Sequence, residues 1–277
     1  MNRVLLIATD AALSRSIAEG LASRNCASEC AAGDADALRR LRRQSFDVVV
    51  TSPDTSVEED LALLEEMRGI RPGIPTVILA PEATPEDVIA ALRARVFACF
   101  SAPFDAAEIA ELASRAKGEA DGRGDIEVLC AHRNWVSLRV NCRLLTAERL
   151  LRFLSELRSD VPDANRERLM MAVREILVNA MEHGAGFDPD QVIEVAAVRT
   201  ARAIVFHVRD PGEGFRTDSI PHAAVSNPSE DPTAHLELRS QQGLRPGGYG
   251  LLIAQGIVDE LIYSEVGNEV LLIKHAV

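Results

Sequence analysis

The sequence predicts two domains of different class. A doubly wound parallel α/β sheet is expected over residues 1–117 and an α+β sandwich over 126–277, joined by a linker at 118–125. Three observations carry this prediction. In the first half, short runs rich in β-branched residues alternate with amphipathic helical patterns, the grammar of a parallel sheet with helices on both faces. The stretch Gly118-Glu-Ala-Asp-Gly-Arg-Gly-Asp125 then reads as a glycine-rich, acidic linker. In the second half two helical patterns precede strands that follow one another closely, which gives a mostly antiparallel sheet with helices on one face.

Taken in order, strands are expected at 3–9, 47–51, 76–79 and 96–100, each an apolar run bounded by turn residues. Between and after them, apolar residues recur at helical spacing at 12–22, 34–43, 58–68, 84–94 and 105–117. In the second half, 135–140 alternates like a half-buried strand. Thr146 and Asp163 stand where N-caps belong, and they open helices at 146–159 and 163–184. Strands follow at 192–199 and 203–209. Residues 216–247 carry Pro, Ser, Asn, Asp and Gly without periodicity, and an aperiodic loop of that length in a compact domain points to function or disorder. A helix at 249–259 and a hairpin of 261–264 with 270–275, turning at Gly267-Asn268, complete the chain.

Composition narrows the function classes. The net charge is −12, with 13 basic against 18 acidic residues up to Lys117 and 17 against 24 after it. Both halves are acidic, so a nucleic-acid partner is not expected, because phosphate backbones call for basic stripes. The one basic cluster, Arg39, Arg40, Arg42 and Arg43, reads as a solvated helix end. No stretch approaches the ~18 apolar residues of a membrane span. The apolar run at the N-terminus is too short for a signal peptide. The five cysteines show no CxxC pairing and read as reduced thiols, which implies the cytoplasm.

Three motifs carry chemistry. In Arg174-Glu-Ile-Leu-Val-Asn-Ala-Met-Glu-His-Gly184, Glu175 and Asn179 share a helix face, with Glu182 and His183 on or near it. The opposite stripe, Val173, Ile176, Leu177 and Ala180, is apolar and should face the sheet. An Asn oxygen suits Mg²⁺, which prefers hard oxygen ligands and keeps some of its waters. A Glu beside it can orient or deprotonate an attacking hydroxyl. In Asp210-Pro-Gly-Glu-Gly-Phe215, a carboxylate at a strand end could accept an adenine amino group while Gly212 and Gly214 admit the base closely. The same residues are also ordinary turn chemistry. In Gly247-Gly-Tyr-Gly-Leu251, the glycines Gly247, Gly248 and Gly250 precede a helix whose N-terminal amides attract phosphate. Each motif is weak alone; their order and spacing describe a pocket for ATP and a divalent metal.

That combination closely resembles the nucleotide-binding domain of the GHKL ATPase superfamily, and within it residues 126–277 resemble the anti-sigma-factor serine kinases of bacteria. Val258-Asp-Glu-Leu261 fits the same pattern. The resemblance implies Glu175 as catalytic base, Asn179 as Mg²⁺ ligand, Asp210 as adenine anchor and 216–247 as an ATP lid. It also implies a STAS-type anti-anti-sigma protein as substrate, a sigma factor as second partner, and a homodimer. Two alternatives stand beside the kinase. One is a module that binds ATP and a partner without phosphoryl transfer. The other is a histidine kinase, which would need a phosphoacceptor His on an upstream helical hairpin; His132 lies by the linker with no such hairpin before it.

Residues 1–117 resemble a response-regulator receiver, down to Ala102-Pro-Phe-Asp105 where receivers usually read Lys-Pro-Phe. Position by position the chemistry is missing. Ala8 and Thr9 stand where acids bind Mg²⁺, Ser52 where the phosphoacceptor Asp belongs, Ala80 at the Thr/Ser position, and Ala102 at the phosphate-binding Lys. Without the carboxylates and the Asp there is no metal ligand set and no acyl-phosphate nucleophile. A site shifted to Asp10 or Asp54 would still lack the cation. The first half is therefore expected to be a pseudo-receiver that works by contact, as an input or dimerisation module.

Overall fold

The computed structural model describes residues 2–7, 10–116, 124–157, 161–214, 241 and 248–275. They fall into two compact units, Met1–Gly124 and Asp125–Val277.

The first unit runs β1 (Asn2–Ile7), α1 (Ala11–Ser23), β2 (Cys26–Ala31), α2 (Asp34–Arg43), β3 (Val48–Val50), α3 (Val57–Ile70), β4 (Thr76–Ala80), α4 (Pro85–Arg93), β5 (Ala98–Ser101) and α5 (Ala106–Ser114). All strand pairs are parallel, in the order β2-β1-β3-β4-β5. This is the doubly wound order of the flavodoxin-like and receiver folds. The strands β1, β3 and β4 are covered on both faces, so Val4–Ile7, Val48–Val50 and Val77–Ala80 are buried without alternation. Helix starts follow from local chemistry. Ser56 and Glu59 close a capping box on α3; Thr84 and Asp87 do the same on α4, with Pro85 just inside the helix.

The strand β2 is not legible in the sequence. Cys-Ala-Ser-Glu-Cys-Ala carries no β-branched or aromatic residue. It forms because β1 supplies a parallel edge, and Arg3 reaches across to Glu29 at 2.5 Å. Strand β5 also starts two residues later than the apolar run suggests. Val96 still bonds back to the Ala91 carbonyl of α4 before the chain turns into the sheet.

The second unit runs β6 (Ile126–His132), β7 (Trp135–Asn141), α6 (Leu144–Glu156), α7 (Asp163–Asn179), a π-helical turn (Ala180–Gly184), β8 (Val192–Arg199), β9 (Ala203–Arg209), α8 (Gly250–Ile257), β10 (Glu260–Tyr263) and β11 (Glu269–His275). Its sheet is antiparallel throughout, in the order β10-β11-β9-β8-β7-β6. Inward residues alternate along it: Val136, Leu138 and Val140, then Ile193, Val195 and Ala197, then Phe206 and Val208, then Val270 and Leu272 are buried. They meet the apolar stripes of α6 and α7, among them Leu150, Phe153, Val173, Ile176 and Leu177.

Several expectations need correction here. Thr146 is no N-cap. The helix α6 begins at Leu144 behind Arg143, and Thr146 is turned into the core, where its hydroxyl has no hydrogen-bond partner among the described residues. The cap of α7 is Pro162, and Asp163 is the first helical residue, its carboxylate 2.5 Å from Arg166 rather than on a backbone amide. Asp125 does not belong to a solvated linker. It is buried, pairs with the buried Arg149 at 3.2 Å, and its carbonyl accepts from the Asn141 amide. Linker residues 118–123 lie outside the described residues. The strand β6 was not anticipated either. It pairs with β7 through a tight turn at Arg133-Asn134 and carries a bulge between Val128 and Cys130, which breaks the alternation a sequence reading depends on. His132 ends that strand, exposed, and is not on a helix.

Candidate nucleotide site

The α7 helix buries Val173, Ile176, Leu177 and, just past its end, Ala180, and leaves Glu175 and Asn179 half-buried one turn apart on another face. The start of α8 lies against that face. A Cβ placed on Gly250 would sit 2.7 Å from Glu175 Oε2 and 3.5 Å from Asn179 Nδ2. Glycine at this position is thus what lets the first turn of α8 approach the Glu–Asn pair. On its other side Glu175 lies 3.5 Å from the exposed Arg174 guanidinium. The helix N-terminus, a carboxylate and a carboxamide meet at one place, as expected where phosphate and a hard cation bind together.

Beyond Asn179 the helix widens. Ala185 donates to the Ala180 carbonyl, five residues back, at 3.1 Å. Such π turns recur at functional sites. Here the widened turn brings Gly184 onto Asp210. A Cβ on Gly184 would lie 2.2 Å from Asp210 Oδ1 and 2.5 Å from its Cβ, and a Cβ on Gly212 would lie 2.8 Å from both Asp210 Oδ1 and the Gly184 Cα. Neither position has room for a side chain. Asp210 Oδ1 accepts the Gly212 N–H at 2.9 Å. Burial pushes the Asp210 carboxyl above its ordinary range, and the Gly212 amide partly offsets this. Gly214 takes φ +79°, with its Cα hydrogens against the Val266 carbonyl, where a Cβ would come within 2.2 Å.

Asn268 is a contributor that the sequence reading treated only as a turn residue. Its carbonyl accepts from the Asp210 amide at 3.0 Å, and its side chain donates to the Gly212 carbonyl at 3.3 Å. The β10–β11 turn thereby pins the Asp-Pro-Gly segment to the sheet. Cys142 is also near. Burial, followed by the charges of Asp188 and Asp210, pushes its thiol up to about 11, so it stays protonated.

The structure thus brings together Glu175, Asn179 and Gly250 in one group and Gly184, Asp210 and Gly212 in another, both along α7 and its π turn. His183 is exposed. Gly248 takes φ +92°, a conformation that favours glycine. Gly247 and, apart from Gln241, the expected lid at 216–247 lie outside the described residues.

In the first unit, Ser52 follows β3 and is buried, its hydroxyl accepting the Asp54 amide at 3.2 Å. Ala80 is buried at the end of β4 and Ala102 is exposed after β5. Ala8 and Thr9 lie outside the described residues. Asp10 accepts the Ala12 and Leu13 amides as the cap of α1.

No curated protein matches the chain. Among solved structures, a CheY-like receiver domain protein from Methanospirillum hungatei is 23% identical over 40% of this chain and 89% of its own, with a TM-score of 0.35. Vibrio cholerae CheY4 is 19% identical over 42% of this chain and 98% of its own, at 0.37. A Thermotoga maritima response regulator is 18% identical over 42% and 97%, at 0.38. The receiver-like fold itself rests on the parallel strand order of the first unit. In the second unit, residues 141–274 match the family described as the histidine kinase-like ATPase domain. The chain therefore joins a receiver-like fold to a segment, 141–274, that is similar to histidine kinase-like ATPase domains.

Proposed function

We propose that this protein is a bacterial signalling regulator whose second unit is a serine/threonine protein kinase of the anti-sigma-factor type. On this reading it uses MgATP to phosphorylate a hydroxyl on a STAS-type anti-anti-sigma protein, and it holds a sigma factor in one nucleotide state. The observation that carries the proposal is Glu175. Binding ATP alone asks for no carboxylate there, yet one stands a single turn from Asn179 at the mouth of α8. The residues fit the nucleotide. The two glycine positions filled by Asp210 form a cradle open only to backbone, and Asn179 offers a hard oxygen to Mg²⁺. Bound MgATP would supply the phosphoryl group and neutralise its charge. Glu175 Oε2 takes the proton of the attacking hydroxyl, the amides at the start of α8 hold the phosphates, and Asp210 Oδ1 orients the base.

The chain's two halves divide the work on this reading: the first unit passes on a signal by contact, and the protein acts as a homodimer. No described helix is long and apolar enough to cross a membrane, and the five cysteines are free thiols, which supports a cytoplasmic setting.

Purified full-length chain incubated with MgATP and a STAS-type partner tests the proposal. Phosphosite mass spectrometry should find one Ser or Thr of the partner modified, and Glu175→Ala should abolish that while still binding ATP. A partner that binds in an ATP-dependent way but is never modified would instead identify a binding module.

A further inference from the structure

Among the described residues, Asp60 is the one buried charged side chain of the first unit. It lies in the first turn of α3, and two hydroxyls bond to it. The Thr51 hydroxyl is 2.5 Å from Asp60 Oδ2, and the Thr55 hydroxyl is 2.8 Å from Oδ1. Thr55 Oγ1 also stands 2.9 Å from the Ser52 carbonyl oxygen. Thr51 Oγ1 in turn accepts the Leu79 amide of β4 at 3.1 Å, so its own proton is free for Asp60.

Counting protons decides the state of this cluster. Three oxygen–oxygen contacts need three protons, and the two hydroxyls bring two. If Asp60 is ionised, Thr55 serves either the carboxylate or the Ser52 carbonyl, and the other contact has no proton in it. If Asp60 is neutral, its Oδ1–H donates to Thr55, Thr55 donates to the Ser52 carbonyl, and every contact is a hydrogen bond. Only the acid gives each of the three contacts a proton of its own.

We propose that Asp60 is a proton-operated latch on the β3–α3 loop: the neutral acid closes a relay from Asp60 through Thr55 to Ser52, and loss of its proton opens the relay and frees residues 52–55. The loop lies at the C-terminal end of β3, where receiver domains carry their phosphoacceptor. The latch gives this unit an input that needs neither a phosphoacceptor nor a metal, and it is independent of the kinase reading.

The surrounding charges act in the same direction. Asp34 at the start of α2 and Glu59 on α3 itself, both acids, bear on Asp60. Just past β3 the Thr51 hydroxyl bonds to it, and the Leu79 amide of β4 bonds to that hydroxyl rather than to Asp60. Helix α4, which also packs on α3, carries Glu86, Asp87 and Arg93, with Asp87 bound to Thr84. The N-terminal amides of α3 oppose them by favouring the anion. Burial outweighs that: it is the largest influence and raises the Asp60 carboxyl to about 7, against the lowering by Thr51 and Thr55. The sign follows. Because the folded-state value is raised from 3.8 to about 7, the neutral acid contributes its stability in full only below the ordinary carboxylate range, loses it progressively as pH rises from there, and has lost it once pH passes about 7. The capping box of Ser56 and Glu59 is unaffected, since backbone and hydroxyl donation from Ser56 hold Glu59 below the usual carboxylate range. Opening is thus confined to residues 52–55.

The test is a titration of the full chain, labelled with ¹³C and ¹⁵N, from pH 4.5 to 9. The Asp60 carboxyl carbon should titrate near neutrality, and the amides of 52–56 should shift with the same midpoint and lose at least tenfold in exchange protection above it, after correction for intrinsic exchange. Asp60→Asn, whose amide donates to Thr55 at every pH, should hold the loop in its low-pH state throughout. Thr55→Val should lose the protection even at low pH. An Asp60 midpoint below pH 5 in the native chain, or loop amides that ignore that midpoint, overturns the proposal. The native titration decides alone if the variants do not fold.

Discussion

Gly184→Ala is the sharpest probe of the nucleotide site, because the new atom has one place to go. Its Cβ would stand 2.2 Å from Asp210 Oδ1, 2.3 Å from Cγ and 2.5 Å from Cβ. A rotamer change can move Oδ1 away, but it cannot move the Asp210 Cβ. The strand end must therefore retreat by about 1 Å to restore ordinary contact distances. Overpacking of this kind costs about 1–3 kcal/mol of stability. The functional loss is separate. A hydrogen bond from a base amino group to a carboxylate contributes about 1.5–3 kcal/mol, so displacing Asp210 should weaken ATP binding by roughly 10- to 100-fold. Isothermal titration of the full chain with MgATP measures this. Trp135 is the single tryptophan, and its fluorescence checks that the second unit is still folded. Gly256→Ala is the control: among the described residues nothing lies within 4 Å of its would-be Cβ on α8, so binding should be unchanged. A folded Gly184→Ala that binds ATP within twofold of the native chain would show that the Gly184–Asp210 contact is structural only.

Gly250→Ala should separate chemistry from binding. Its Cβ meets the far end of the flexible Glu175 side chain at 2.7 Å, so the helix stays and the carboxylate swings away. Phosphoryl transfer should fall at least tenfold, about 1.4 kcal/mol in the barrier, while ATP affinity changes less; equal losses in both would place Glu175 in binding instead. Asp125→Ala removes the buried carboxylate that meets Arg149 at 3.2 Å and should destabilise the second unit by about 1–3 kcal/mol. Denaturant unfolding followed at Trp135 reads that unit alone, because Tyr249 and Tyr263 are also in it and the first unit contains neither residue type. A change under about 1 kcal/mol would count the pair as a surface contact.

Periodicity made most of this fold legible, and where the sequence misled, a specific physical cause is visible. Central strands such as Val48–Val50 and helices such as α7 declare themselves because burial on both faces or on one stripe dictates their residues. The edge strand β2 is held by pairing and by Arg3–Glu29 rather than by its own propensity, and β6 hides behind a bulge. Thr146 shows the limit of cap reading. Ser, Thr and Asp look alike whether their oxygen meets a backbone amide or the core, and only tertiary packing distinguishes the two. At the site, Glu175, Asn179, Asp210 and the glycines could be named because their types and spacing are chemically unusual together. Asn268 could not, since a hairpin turn at Gly267-Asn268 explains it fully until its side chain is seen on the Gly212 carbonyl.

The same distinction bears on the proposal that the first unit works without phosphoryl chemistry. Its remaining polar groups are committed to structure. Asp10, the acid nearest the missing metal pair, spends its carboxylate on the Ala12 and Leu13 amides, and Asp105 does the same for Ala107 and Glu108 at the start of α5. A cap contributes about 1 kcal/mol, so recruiting Asp10 to a cation would have to overcome that loss without a lysine at position 102 to hold the anion. Ser52 is buried and already accepts the Asp54 amide. A shifted site at Asp10 is therefore opposed by the fold as well as by composition. What the end of β3 still contains is a carboxyl shared among hydroxyls, and a group so placed responds to the proton more readily than to phosphate.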